Sequence, residues 1–96
     1  MKLIIEVVEI EGTCPVYKTE EKIVLDDGYR VNLKETDNIC MHSLSSILPY
    51  YTALSKKVSP LELGLTTEGE EAYVQCLDPK KYTGGGTVTF RISRKD

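Results

Sequence analysis

Alternation of apolar and polar residues at both ends of the chain constrains the fold more than any other feature. Val88, Phe90 and Ile92 alternate strictly with Thr87, Thr89, Arg91 and Ser93. Successive strand side chains point to opposite faces, so this stretch predicts a strand with one buried and one solvated face. Leu3 to Ile10 is rich in Ile and Val, with Leu3, Ile5 and Val7 on one face and Glu6 breaking the other, and predicts a well-buried first strand. Ala72, Val74 and Cys76 alternate with Tyr73 and Gln75 in the same way. A further pair, Lys22 to Leu25 and Tyr29 to Leu33, flanks Asp26, Asp27 and Gly28, whose glycine supplies the positive φ that a tight hairpin turn demands.

The middle of the chain changes period. Cys40, Leu44, Ile47, Leu48, Tyr51 and Leu54 recur at spacings of three and four, the stripe of an amphipathic helix, with Ser43, Ser45, Ser46, Lys56 and Lys57 mostly on the other side. Asp37 or Asn38 is the expected cap. Pro49 removes a backbone donor and crowds the preceding turn, so the helix either kinks near Leu48 or divides into two. Ser59 to Gly64 predicts one more short helical turn, with Pro60 at its first position. The order is β-ββ-α-β-β. It predicts a single α+β domain over residues 1–96, in which an antiparallel sheet of four to five strands packs on one Pro-kinked helix.

Bulk properties narrow the function classes. With 41% hydrophobic and 28% charged residues, the composition is that of an ordinary globular protein. A net charge of -3 gives no broad positive field for collecting phosphates, so no nucleic-acid partner is expected. No segment approaches the roughly 20 apolar residues that span a bilayer, and Glu6 and Glu9 interrupt the apolar N-terminus, so a cytoplasmic protein without a membrane partner is expected. Val88, Phe90 and Ile92, if beside an exposed sheet edge, would favour a homodimer.

Chemistry is concentrated in Cys14, Cys40, Cys76 and His42. Three thiols and one imidazole match a closed zinc site in count, and three thiolates would equally suit an iron–sulfur cluster with a non-Cys fourth position. The usual close Cys pair is missing, since 25 residues separate Cys14 from Cys40 and 35 separate Cys40 from Cys76. Only the fold can bring them together. Residues two apart on a helix diverge by about 200°, so His42 faces away from Cys40 if both are helical. Cys14 follows Gly12 and precedes Pro15, the chemistry of a loop; Cys40 falls at a helix start and Cys76 at a strand end. In the first helical turn Cys40 also invites a redox reading, against which stands simple packing of a small apolar side chain.

The remaining motifs carry less. Thr83-Gly84-Gly85-Gly86-Thr87 lacks the GK[ST] ending and the following helix of a phosphate loop, and is expected to be a flexible connection between the last two strands. Asp26, Asp27, Glu68, Glu70 and Glu71 lie in turns or polar stretches and form no readable catalytic pair.

Gly12-Thr13-Cys14-Pro15, Ile39-Cys40-Met41-His42-Ser43-Leu44 with Leu48-Pro49 behind it, and Cys76-Leu77-Asp78-Pro79 followed by Val88-Thr89-Phe90 together resemble a family of small uncharacterised proteins of archaea and anaerobic bacteria. The resemblance runs over nearly the whole chain. It implies that the three thiols belong to one shared pattern, carries no assigned reaction, and does not make His42 obligatory, since some members have an aromatic residue there.

Three function classes follow. The first is a metal-binding (zinc or iron–sulfur) or thiol-redox accessory protein using Cys14, Cys40 and Cys76, with His42 as the fourth candidate ligand. The second is a noncatalytic protein–protein interaction module whose cysteines are core residues. The third is a small hydrolase or transferase with a pocket lined by Tyr50, Tyr51, Tyr73 and Tyr82.

Overall fold

A computed structural model describes residues 1–96. Its strands are β1 (Lys2–Gly12), β2 (Lys22–Asp26), β3 (Arg30–Val31), β4 (Ala72–Gln75) and β5 (Gly86–Lys95). Its helices are α1 (Met41–Ile47), α2 (Tyr51–Ser55) and α3 (Lys80–Thr83). The strands form one sheet in the order β3-β2-β1-β5-β4, and every neighbouring pair is antiparallel. The expected α+β class and antiparallel sheet are present, with five strands of the four to five expected, but the element order and the single helix need correction.

The two long terminal strands, β1 and β5, pair along nearly their whole length at the centre of the sheet. Leu3, Ile5 and Val7 face the core together with Val88, Phe90 and Ile92, all at most 2% exposed. A β-bulge interrupts this register between Val7 and Glu9, because Val8 is extra relative to β5. One extra residue shifts the side-chain phase by one. Beyond it Ile10, not Glu9 or Glu11, packs against the core, which is why the apolar spacing changes from 3-5-7 to 10.

β5 lies inside the sheet, so Val88, Phe90 and Ile92 are not beside an edge and provide no dimer surface; the edges are β3 and β4. The predicted strand Tyr29 to Leu33 shrinks to Arg30–Val31, leaving Tyr29 and Leu33 exposed. After Val31 the chain turns but keeps bonding the outer edge of β2. The Asn32 and Asp37 amides donate to Val24 and Lys22 carbonyls, and the Val24 and Lys22 amides donate to Thr36 Oγ1 and Asp37 Oδ2. The edge is thereby covered rather than left open.

Two short helices replace the single Pro-kinked one. α1 ends at Ile47 and α2 begins at Tyr51, and the break contains Pro49, whose missing N–H and bulky ring prevent a continuous ladder. Asp37 and Asn38 do not cap α1, because their side chains hold the Lys22 amide and the Ile39 amide; Cys40 occupies the cap position instead. The buried helical face is Ser43, Ile47 and Leu54, while Leu48 is exposed. The Ser59 to Gly64 turn forms as expected, with the Leu65 amide reaching back to the Pro60 carbonyl and Gly64 at φ 75°. α3 is an element that no pattern in the sequence announces, and it ends at Gly84 in the left-handed conformation.

α1 and α2 lie against β4 and β1, so the helical layer covers one face of the sheet. On the opposite face, Arg91 bridges Glu6 (2.6 Å) and Glu71 (3.5 Å). Its guanidinium pKa is raised chiefly by the hydrogen bond to Glu6. No helix is long and apolar enough to cross a membrane.

Candidate functional site

The sheet order decides where the cysteines go. β1 and β4 both run antiparallel to β5, so they are parallel to each other and finish on the side of the sheet where β5 begins. Cys14 follows the end of β1 and Cys76 follows the end of β4. Between them lies Gly86, the first residue of β5. A Cβ there would fall 2.8 Å from the Thr13 carbonyl carbon and 2.9 Å from the Cys14 amide nitrogen, so the Thr13–Cys14 segment crosses the sheet at a point only glycine leaves open.

Two glycines of the expected flexible loop, Gly85 and Gly86, are therefore closely packed, while Gly84 is exposed. At Gly85 a Cβ would fall 2.5 Å from Asp78 Oδ2, and the Gly85 carbonyl accepts the Thr13 amide at 3.2 Å. Asp78 also accepts from the Thr83 hydroxyl, and its carbonyl accepts from Thr87 Oγ1.

Both sheet-end sulfurs receive main-chain donors. Cys14 is half-buried, and its Sγ accepts N–H groups from Val16 (3.4 Å) and Tyr17 (3.3 Å). Pro15 has no N–H, so the turn around the sulfur closes with the next two amides. Cys76 is buried and extends the β4–β5 ladder through its amide, which donates to the Val88 carbonyl at 2.9 Å. Its Sγ accepts the Val88 N–H at 3.2 Å and faces the Gly86 carbonyl at 3.7 Å.

Cys40, also half-buried, is linked to the Cys14 segment through Tyr17. Its backbone is extended (φ -100°, ψ 132°) and its side chain makes no capping hydrogen bond. The Cys40 amide donates to Tyr17 Oη at 2.8 Å, and Tyr17 Oη lies 2.9 Å from Ser43 Oγ. Ser43 Oγ donates to the Cys40 carbonyl at 2.7 Å, so the Tyr17 hydroxyl must be the donor to Ser43. The result is a closed ring of hydrogen bonds, Tyr17 to Ser43 to Cys40 and back. Burial pushes the Tyr17 phenol above its ordinary value of 10.0, and hydrogen bonds to Ser43 and the Cys40 backbone only partly offset this. The phenol is thus held as a donor throughout the neutral range.

Cys14 is thus linked to Cys40 through Tyr17 and to Cys76 through Gly86, and this run of contacts is the cysteine corner of the molecule. Cys76 belongs to the main core cluster with Tyr17, and Cys14 and Cys40 pack against it. His42 does not join them; it is exposed, whereas its neighbour Ser43 is fully buried. No group of three or more His, Cys, Asp and Glu side chains is arranged to hold a metal ion, and all three thiols are free.

Two residues of this corner, Tyr17 and Ser43, carry no conspicuous site signal in the sequence. Tyr17 sits three residues after Cys14 behind a proline, a spacing that does point back at the sulfur. Ser43 belongs by periodicity to the polar side of the helix, yet it is buried because its hydroxyl is satisfied on both sides.

Two recesses lie elsewhere. One of about 570 Å³ is bordered by Thr66 to Glu71 and Tyr73; the other, of about 520 Å³, lies between α2 and the end of β5 beside Lys57 and Arg94. The expected tyrosine-lined pocket is not among them, since of Tyr50, Tyr51, Tyr73 and Tyr82 only Tyr73 borders either recess. No protein-family model, curated protein or solved structure matches the chain.

Proposed function

We propose that this is a small accessory protein that works through its thiols, with Cys14, Cys40 and Cys76 as soft ligands for zinc or an iron–sulfur cluster, or as redox groups. The observation that supports the reading is the linking of three cysteines, distant in sequence, by Tyr17 between Cys14 and Cys40 and by Gly86 between Cys14 and Cys76, with two sulfurs already accepting main-chain N–H groups. Such donors orient a sulfur that serves as a ligand. Metal capture requires the thiols to turn toward a common centre, and Cys40, without a side-chain cap bond, is the one free to do so.

Anaerobic purification followed by elemental analysis and thiol titration tests this directly. Stoichiometric zinc or iron that is lost on Cys→Ser substitution supports the metal branch. Metal-free protein whose thiols oxidise and are re-reduced reversibly supports the redox branch. Neither metal nor reactive thiols would overturn the proposal.

A second reading, a protein–protein interaction module, is favoured by a separate observation. Met41, Leu77 and Tyr82, which follow Cys40 and Cys76 closely in the chain, are 76%, 62% and 81% exposed. Under that reading, replacing all three cysteines leaves partner binding unchanged.

A further inference from the structure

Tyr17 makes contacts to two of the three cysteine segments at once. Its amide donates to Cys14 Sγ at 3.3 Å, and its hydroxyl accepts the Cys40 amide at 2.8 Å. Its ring is wedged between these ends by an edge-to-face contact with Phe90, with centroids 5.4 Å apart and planes at 84°. Phe90 is fully buried at the centre of the sheet, so the ring has a fixed seat. The Cys40 end, by contrast, rests on a seven-residue helix with no side-chain cap. Seven residues are too few to be stable in isolation, so tertiary contacts must fix where that helix begins.

We propose that Tyr17 is a positioning residue whose hydroxyl, through the Cys40 amide and Ser43, holds Cys40 in the cysteine corner and limits its access to reagents. The proposal rests on reading the cysteines as the working groups, and it names the contact that governs one of them. Cys76 is held by different bonds, to Val88 and Gly86 on β5, and Cys14 is held by main-chain amides that do not involve the Tyr17 hydroxyl. Loss of the hydroxyl alone therefore acts on Cys40 and spares the other two.

The test uses the full chain, reduced and metal-free, alkylated with iodoacetamide for short pulses, with the three cysteine peptides followed by mass spectrometry. In Tyr17→Phe the Cys40 amide and Ser43 lose their shared partner, and the Cys40 rate is expected to rise about two- to tenfold, the range corresponding to one net hydrogen bond. Ser43→Ala should produce the same selective rise. The double variant should exceed the larger single effect only slightly, because both substitutions open one ring. Cys76 serves as the internal gauge of general loosening. An unchanged Cys40 rate, or a parallel rise at all three cysteines, overturns the proposal. Because these rates are read in metal-free reduced protein, absence of metal or redox activity in the wild type leaves this test unaffected, so the two proposals fail separately.

Discussion

Tyr17 and Ser43 show how a polar pair can occupy a core position. Ser43 is 0% exposed and Tyr17 4%, yet every side-chain polar atom between them is hydrogen-bonded. An unsatisfied buried hydroxyl costs about 1–3 kcal/mol, so the ring is what makes these residues tolerable there. It also has a pH signature. Since burial raises the Tyr17 pKa, the folded state binds the phenolic proton more tightly than the unfolded chain does. The stabilisation is complete below pH 10.0 and is lost as the pH climbs from there through the folded-state value. Denaturation followed from pH 8 upward should show stability falling more steeply above about pH 10 in the wild type than in Tyr17→Phe, which has no phenol to ionise. Parallel curves would assign the alkaline loss to other groups.

At the scale of elements, periodicity was a reliable guide for the strands. The faces of β1, β4 and β5 follow directly from alternation, and so does the hairpin around Gly28. Helical periodicity locates α1 and α2 but not the cap of α1 or the buried face. A side-chain acceptor such as Asp37 serves any nearby amide, and here the Lys22 amide on β2 takes it. The bulge at Val8 is the device that reconciles β1 with its own sequence. Deleting Val8 leaves Ile10 in phase with Val7, so the protein should still fold, at a cost of about 1–2 kcal/mol in urea unfolding. Deleting Glu6 turns Leu3 and Ile5 to the solvated face and should abolish cooperative unfolding. Equal tolerance of both deletions would show that the bulge does not set the register.

At the scale of the whole molecule, the cysteine corner depends on a crossing of chain segments that no local signal announces. Thr13 and Cys14 pass over Gly86 at a distance that excludes a methyl group. Gly86 carries no positive φ, so Gly86→Ala tests packing alone rather than backbone strain. The added Cβ must push the Cys14 segment off the end of β5. We expect a loss of about 1–3 kcal/mol, typical of overpacking, with a matching fall in the thermal midpoint and faster alkylation of Cys14. A midpoint at or above that of the wild type would contradict the crossing.

Local sequence is enough for the class of structure, the strands at both ends, the interruption at Pro49 and the placing of Cys14, Cys40 and Cys76 at element ends. These features depend on the residues within a few positions, through alternation, through proline's missing donor and through glycine's freedom of φ. The inner position of β5, the burial of Ser43, the exposure of His42 and the link that Tyr17 makes between Cys14 and Cys40 emerge only in three dimensions. Each of these depends on contacts between residues far apart in the chain, where burial and competition for hydrogen-bond partners outweigh local preference.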